Sequence, residues 1–176
     1  MTAPLVVFAV GNPSRGDDAI GPVICGRLEE WLENEKLADR VELIEDFQLN
    51  VEHALDLQSR ELALFIDAGE NTPAPFIFAQ IFPSTVPSHT THALPPQAVL
   101  QVYRQMERSD PPPSFVLCVR GEKFELGEPL TAAAENHATL AFELLIGLCR
   151  QPMLAKWEAA ATSIEQLSIN SRPLET

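Results

Sequence analysis

The amino-terminal segment constrains the fold of this chain more than any other part of it. Leu5 to Val10 form an unbroken apolar run of the length and composition of a buried strand. A turn rich in Gly, Asn, Pro and Ser follows, and Asp17 and Asp18 come directly after it. In open α/β sheets, ligands bind in the crevice beyond the carboxyl ends of the strands. The pattern therefore favours a metal-binding or acid–base role for this pair of carboxylates.

Apolar runs of strand length alternate with helical patterns along the rest of the chain. The runs predict strands at 4–10, Val41–Ile44, Leu62–Asp67, Phe76–Phe82 and Ser114–Val119, and helices at Ile20–Leu37, Asn50–Leu57, Pro95–Glu107 and Leu130–Leu148. In the Asn50–Leu57 helix, Val51, Ala54 and Leu55 are expected to share one face. Strands that alternate with helices imply parallel pairing and right-handed crossovers. We therefore predict an α/β fold, a three-layer α/β/α sandwich around a mostly parallel, twisted sheet of about five strands.

The length and charge of the chain narrow its organisation and its partners. A chain of 176 residues favours one domain, which we place at 1–150, followed by a polar, helical or frayed tail at 151–176. There is no apolar run of the ~20 residues that span a bilayer, and no basic region of a signal peptide precedes the first strand. The net charge of -13 disfavours nucleic acids and anionic membranes. We expect a cytoplasmic protein.

The three cysteines and two of the four histidines are predicted to have no part in the chemistry. Cys25, Cys118 and Cys149 are widely spaced and odd in number, which argues against a disulfide framework or a zinc-thiolate site. We interpret all three as small buried hydrophobic residues. His53 and His137 fall in helical patterns and are expected to face solvent.

Three groups of polar residues stand where such a sheet gathers its active residues. Asp17 and Asp18 follow the first strand, Asp67 ends the third, and His89 or His92 lies in the loop before the helix at Pro95. Two carboxylates and an imidazole suit a divalent cation such as Zn²⁺ or Ni²⁺. Each residue also has a structural interpretation: a helix cap for either acid of the pair, a turn residue for Asp67, and a solvated loop residue for the histidine.

Several of these motifs resemble those of the hydrogenase maturation endopeptidases. The family pattern is roughly G-N-x-x-x-x-D-[DE]-x-x-G, and this chain has Gly11-Asn12 followed by Asp17-Asp18-Ala19-Ile20-Gly21. The Ile66–Ala68 strand end, the Ser88–His92 loop and the Glu122–Thr131 segment are also similar, so that the resemblance covers about residues 5–148. It implies a five-stranded α/β/α fold. It also implies a single cleavage that removes the C-terminal tail of a [NiFe]-hydrogenase large-subunit precursor after nickel insertion.

The resemblance also implies which residues contact the metal and act in catalysis. Carried over by position, they are Asp18, Asp67 and a loop histidine. Counting back from the helix at Ala98–Leu100 makes His92 a better match than His89. The resemblance implies that the nickel comes with the precursor and that other cations such as Zn or Cd are able to occupy the site. The sequence itself is silent on oligomeric state, and we expect a monomer that binds one precursor.

One segment departs from the pattern of many family members. Where they carry an Asp-Gly-Gly-Thr turn after the second strand, this chain has Glu45-Asp46-Phe47-Gln48-Leu49-Asn50. This resembles the subgroup that serves NAD-linked bidirectional hydrogenases. The loop is expected to lie beside the cleft and to recognise the substrate.

Two other functions and two chemical routes stay open at this point. A non-catalytic nickel-binding chaperone would need the same residues. A nucleotide- or phosphate-binding protein is less favoured, because the Gly11–Gly16 turn is not G-x-G-x-x-G, lacks a P-loop Lys and carries two acids that repel phosphate. For a protease, either the metal polarises the scissile carbonyl or activates water, or a carboxylate acts as general base. The absence of H-E-x-x-H and of a recognisable triad disfavours zincin, serine and cysteine routes.

Overall fold

A five-stranded sheet forms the centre of the molecule in the computed structural model, which describes residues 1–85 and 94–161. The strands are β1 (Leu5–Val10), β2 (Val41–Asp46), β3 (Leu62–Gly69), β4 (Phe76–Ile81) and β5 (Ser114–Arg120), in the spatial order β2-β1-β3-β5-β4. Three neighbouring pairs are parallel, and β4 alone runs antiparallel to β5. The predicted fold class is confirmed.

Helices cover both faces of the sheet because its central strands are apolar on both sides. On one face, α1 (Ile20–Asn34) and α3 (Ala132–Arg150) pack over alternate residues of β1, β3 and β5. On the other face lie α2 (Pro96–Glu107) and a 3-10 helix at Val51–Leu57, which contact each other. Burial of both faces explains the continuous apolar runs, which are typical of parallel strands between two helical layers.

The Val51–Leu57 helix differs from the amphipathic helix predicted there. Its N-cap residue is Asn50, whose side chain accepts a hydrogen bond from the Glu52 N–H at 2.9 Å. Ala54 is buried, whereas Val51 and Leu55 are 56% and 52% exposed, so the three residues do not share a face. The prediction assumed the period of an α-helix, and the tighter 3-10 winding places neighbouring side chains differently.

The segment after α3 packs onto the core over part of its length. Leu154–Ala160 form a short helix, α4, and its Trp157 is fully buried. The Trp157 ring lies 5.8 Å from the ring of Phe78 and 5.3 Å from that of Phe115, at steep angles to both. Residues 151–161 of the predicted polar tail therefore supply a large side chain to the same apolar cluster as the central strands.

We expect Trp157→Leu to lower the free energy of unfolding by about 2–3 kcal/mol, because it removes buried aromatic area and two edge-to-face ring contacts. Urea unfolding measures the effect. Leu154→Ala is the matched control in the same helix, since Leu154 is 38% exposed, and we expect a loss below about 1 kcal/mol. Equal losses in the two variants would contradict the packing described.

The order of the strands places a crevice between β1 and β3. After β1 the chain crosses to β2, which pairs with one edge of β1. It then crosses back to β3, which pairs with the opposite edge of β1. At such a reversal the connections leave in opposite directions, which opens a gap beyond the carboxyl ends of the two strands.

No helix within residues 1–85 and 94–161 is long and apolar enough to cross a membrane.

Candidate functional site

Asp18 and Asp67 meet at this crevice. Asp18 lies in a 3-10 helix, Gly16–Ala19, which follows the turn after β1 and contacts β3. Asp67 lies near the end of β3, one residue beyond the last described pairing of β3 with β1. In agreement with this contact, the charge of Asp18 raises the pKa of Asp67. The structure therefore brings together two of the three predicted site residues.

Each of the two carboxylates uses one oxygen for the local fold and leaves the other uncommitted. Oδ2 of Asp18 accepts a hydrogen bond from the Asn12 N–H at 2.7 Å. Oδ1 of Asp67 accepts one from the Ala68 N–H at 2.8 Å. Within the described part of the chain, Oδ1 of Asp18 and Oδ2 of Asp67 have no hydrogen-bond donor. Both side chains are only partly buried, so neither carboxylate is shielded completely from solvent.

The environment of Asp67 favours its protonated form more than water does. Burial raises its pKa, the Ala68 N–H lowers it by a smaller amount, and the Asp18 charge raises it further, to about 6. Desolvation and a nearby second carboxylate both make the charged form of a carboxylate less favourable, and a bound cation would offset this cost. Perturbation of this kind is typical of functional sites.

Asp17 does not belong to the site, although it is adjacent to Asp18 in sequence. It is fully buried, and its Oδ1 accepts from the Thr131 N–H at 2.8 Å. Its Oδ2 accepts from the N–H groups of Glu122 and Lys123, at 2.7 and 3.1 Å, and from the Thr131 hydroxyl at 2.9 Å. Burial raises the pKa of Asp17, but these hydrogen bonds together outweigh it and lower the pKa. Asp17 thus ties the exit of β1 to the exit of β5 and the start of α3.

The interpretation of Asp17 or Asp18 as a helix cap is wrong. Both residues lie inside the Gly16–Ala19 helix, and neither that helix nor α1 has a side-chain hydrogen bond at its cap. Asp17 reaches instead to Thr131, the N-cap residue of α3, whose hydroxyl in turn accepts from the Ala134 N–H at 3.2 Å.

Two glycines let the chain turn sharply enough to hold Asp18 at the crevice. Gly11 has φ +149°, and a Cβ there would lie 2.0 Å from the main-chain oxygen of Asp18. A Cβ on Gly21 would lie 2.3 Å from the main-chain oxygen of Val10. These approaches are shorter than any van der Waals contact, so the Gly11-to-Gly21 block packs backbone against backbone.

We expect Gly11→Ala to lower the free energy of unfolding by about 2 kcal/mol or more, because the new methyl group displaces Asp18 and the backbone angle disfavours a side chain. Gly26→Ala is the control: Gly26 lies within α1 with open space around it, and alanine there should stabilise by about 0.5–1 kcal/mol. Urea unfolding of both variants measures the difference. A neutral Gly11→Ala would show that the Asp18 turn tolerates a side chain.

The third predicted ligand is His92 or His89, and both histidines lie outside the described residues. Across residues 1–85 and 94–161, no three His, Cys, Asp or Glu side chains are grouped so that they would hold a metal ion. Asp18 and Asp67 lie near each other at the crevice, and the assignment of metal ligands to them and to a histidine stays a prediction.

The prediction that His53 and His137 face solvent is wrong for His53, which is buried, and only half right for His137. Nδ1 of His53 accepts from the Asn50 N–H at 3.0 Å, and its Nε2 lies 3.3 Å from Asp46. His137 is half-buried, with Nδ1 3.0 Å from the main-chain oxygen of Arg120. Both rings fix backbone segments, a role that helical periodicity does not reveal.

Cys118 is the residue beside the site that sequence reasoning missed. Cys25 and Cys149 are buried as predicted, and burial raises their pKa values to about 11 and 12. Cys118 is only half-buried and stands directly opposite Asp67 in the β3–β5 register, with Sγ 3.0 Å from the Thr72 hydroxyl. Burial raises the pKa of Cys118, and the Asp67 charge adds to the effect, so this thiol is a poor nucleophile.

The Glu45–Asn50 loop leaves the sheet next to the crevice. Asp46, the last residue of β2, pairs with Val10 at the end of β1. A cavity of about 430 Å³ opens beside Glu45, Asp46 and Phe47, and Phe47 is 66% exposed. Another cavity, of about 710 Å³ around Met1, Val41 and Arg60, lies at the opposite end of the sheet and has no part in this site.

Comparison with solved structures finds a similar fold in proteins named as hydrogenase maturation proteases. The hydrogenase maturating endopeptidase HybD from E. coli is 24% identical, with a TM-score of 0.64 over 84% of this chain and 93% of its own. The [NiFe] hydrogenase maturation protease HycI from Thermococcus kodakarensis is 23% identical, with a TM-score of 0.62 over 85% and 94%. An endopeptidase from Escherichia coli solved in solution is 25% identical, with a TM-score of 0.61 over 84% and 93%. This chain shares their fold.

The comparison of sequences adds no family assignment. No family model and no curated protein matches the chain. The structural neighbours are named endopeptidases, and what they act on is considered for this chain only as a proposal.

Proposed function

We propose that this protein is an endopeptidase that removes the C-terminal tail of a [NiFe]-hydrogenase large-subunit precursor once nickel is in place. The observation that carries the proposal is the position of Asp18 and Asp67 at the crevice between β1 and β3. Each has one carboxylate oxygen without a hydrogen-bond donor among the described residues. The shared fold with proteases of hydrogenase maturation supports it.

In the proposed reaction, nickel belongs to the substrate. The precursor offers a nickel ion with an open coordination position, and Asp18, Asp67 and His92 bind to it, so that only a loaded precursor docks. Oxygen ligands from two carboxylates and nitrogen from one imidazole suit a borderline divalent cation. An empty precursor lacks the ion that these residues recognise, which couples cleavage to maturation.

The cleavage itself is a hydrolysis. Water adds to the scissile carbonyl, the C–N bond breaks, and the leaving amine takes up a proton. Either the substrate's nickel polarises the carbonyl or the attacking water, or a carboxylate accepts the proton of that water as general base. The second route would make this an aspartyl-type peptidase.

Three finer points belong to the same proposal. The Glu45–Asn50 loop beside the crevice selects the precursor of an NAD-linked bidirectional hydrogenase. The protein acts as a monomer that binds one precursor. The reaction takes place in the cytoplasm, where the precursor would receive its nickel.

The proposal is tested by mixing the purified protein with nickel-loaded and with nickel-free precursor and following the precursor mass. We expect loss of a C-terminal tail from the loaded form only. Binding of the loaded form without any mass change would contradict proteolysis and favour a nickel-binding chaperone. Cleavage of both forms would contradict the nickel gate.

Variants assign the third ligand. We expect His92→Ala to abolish processing and His89→Ala to leave it within about twofold, because the positional match favours His92. The opposite result would exchange their roles, and full activity in both variants would remove histidine from the site.

A further inference from the structure

Arg120 projects from the same face of the sheet as Asp67. It is the last residue of β5 and stands opposite Gly69 of β3, while Cys118 stands opposite Asp67. Side chains alternate along a strand, so Cys118 and Arg120 share the face that carries Asp67. One strand spacing and two residues separate them, which corresponds to about 8 Å between the Cα atoms of Asp67 and Arg120. A long side chain at Arg120 therefore lies within reach of the candidate site.

Half of the Arg120 guanidinium has no hydrogen-bond partner among residues 1–85 and 94–161. Its Nη1 donates to the main-chain oxygen of Thr72 at 3.2 Å. Its Nε is buried and has no hydrogen-bond partner among the described residues, and Nη2 has none there either. Nε and Nη2 form one edge of the planar group, with two parallel N–H donors. This edge is the one that receives a carboxylate bidentately.

Among the eight arginines of the described residues, Arg120 alone has a buried guanidinium N–H without an acceptor. Arg15, Arg40 and Arg108, like Arg120, form no ion pair there. Arg27, Arg60, Arg104 and Arg150 each form an ion pair with a Glu or an Asp. Arg120 forms none within residues 1–85 and 94–161, although it stands at the edge of the sheet that carries Asp18 and Asp67. A buried N–H without an acceptor is unfavourable. Arg120 as a whole is partly exposed, so a rotation of its side chain would present this edge of the guanidinium to a ligand that arrives from outside.

We propose that the Nε–Nη2 edge of Arg120 binds a carboxylate of the precursor segment that enters the site, and so helps select the substrate. This inference rests on the proposed function. The carboxylate comes either from an Asp or Glu side chain near the cleavage site or from the terminus of the tail. A charged, planar acceptor fits two parallel donors better than a single carbonyl oxygen does.

The fold itself makes little use of this side chain. The Arg120 N–H donates to the main-chain oxygen of Pro75 at 3.0 Å, and the Arg120 main-chain oxygen lies 3.0 Å from Nδ1 of His137. These contacts persist when the side chain is changed, and only the Nη1 bond to Thr72 is lost. Arg120→Gln is therefore expected to fold.

Steady-state kinetics with nickel-loaded precursor test the proposal. We expect Arg120→Gln to raise KM about ten- to hundredfold with kcat little changed, and Arg120→Lys to recover only part of this, because a lysine lacks the paired donors. Lys123→Gln is the matched control: it removes the same charge from an exposed side chain three residues away and should change neither constant. A fall in kcat with unchanged KM would overturn the proposal and assign Arg120 to the chemical step.

Changes in the precursor distinguish the two sources of the carboxylate. If a side chain is bound, its replacement by Gln or Asn raises KM for the native enzyme and adds no further loss to Arg120→Gln. If the C-terminal carboxylate is bound, extending the tail with neutral residues raises KM for the native enzyme and adds no further loss to Arg120→Gln. Strictly additive losses in both arms would overturn the proposal.

A binding measurement separates this inference from the protease assignment. We expect the Arg120 Nε–H resonance of the ¹⁵N-labelled free protein to shift on titration with sodium acetate and not with sodium chloride at equal ionic strength. That shift would support the carboxylate site even if no precursor were cleaved. No difference between the two salts would overturn it even if cleavage were observed.

Discussion

Replacing Asp67 by Asn is expected to abolish precursor processing and, at the same time, to make the folded protein more stable at neutral pH. Loss of the Asp67 charge removes the proposed ligand for the substrate's nickel and the candidate general base, so we expect a fall in processing rate of about a thousandfold or more. The rise in stability follows from the raised pKa of Asp67, because the native fold holds this carboxylate in an unfavourable environment.

The sign of the pH dependence follows from proton binding. Burial and the nearby Asp18 charge raise the pKa of Asp67 to about 6, above the ordinary value of 3.8, so the folded state binds this proton more tightly than the unfolded state does. Stability from this group is therefore lost as the pH rises from about 4 to about 6. The shift corresponds to about 3 kcal/mol. Asn carries no charge, so the Asp67→Asn variant does not lose this stability. Its gain in free energy of unfolding over the native protein is therefore near zero in acid and reaches its maximum at neutral pH.

Urea unfolding across this pH range, combined with the precursor mass assay, measures both effects. Asp39→Asn, at an exposed acid far from the site, should change neither activity nor the pH profile. A parallel profile for Asp67→Asn and the native protein would show that Asp67 has an ordinary pKa. An Asp67→Asn variant that still processes at the native rate would remove Asp67 from the reaction.

Local sequence was sufficient to predict the sheet and the meeting of two acids at its edge. The runs at Leu5–Val10 and Leu62–Ile66 are continuous because both faces of β1 and β3 are buried. Parallel pairing then brings their carboxyl ends to the same edge, so an acid after each run is expected there. The pair Asp17 and Asp18, together with Asp67, follows from this reasoning without any knowledge of longer contacts. The choice of Asp18 within the pair came from the family resemblance.

The features that sequence reasoning missed depend on contacts between distant residues. The donors to Asp17 lie 105 to 114 residues away, so nothing near Asp17 distinguishes it from Asp18. Trp157 is buried because Phe78 and Phe115 leave space for it, although the polar sequence around it predicts a tail. His53 is buried by the Asn50 turn and Asp46, which a helical pattern does not show.

The contrast between the two adjacent acids leads to the second large effect. Asp17→Asn is expected to lower the free energy of unfolding by about 4 kcal/mol or more, although the change conserves size. The native carboxylate accepts three N–H groups and one hydroxyl with no exposure to water. An amide presents its own NH₂ group to these donors and leaves some of them without an acceptor, at about 1–3 kcal/mol each.

The same substitution thus has opposite effects at Asp17 and Asp67, and the pH dependence separates them further. The pKa of Asp17 is lowered despite its burial, so its contribution is present above its ordinary pKa of 3.8 and is lost as the pH falls through the folded value. The difference in free energy of unfolding between Asp17→Asn and the native protein should therefore be largest at neutral pH and decrease below about pH 4. Asp18→Asn is the neighbouring control: it keeps an oxygen for the Asn12 N–H, so it should unfold close to the native midpoint while processing is lost. If Asp17→Asn unfolded at that midpoint too, the long-range bonds from Glu122, Lys123 and Thr131 would not hold the exits of β1 and β5 together.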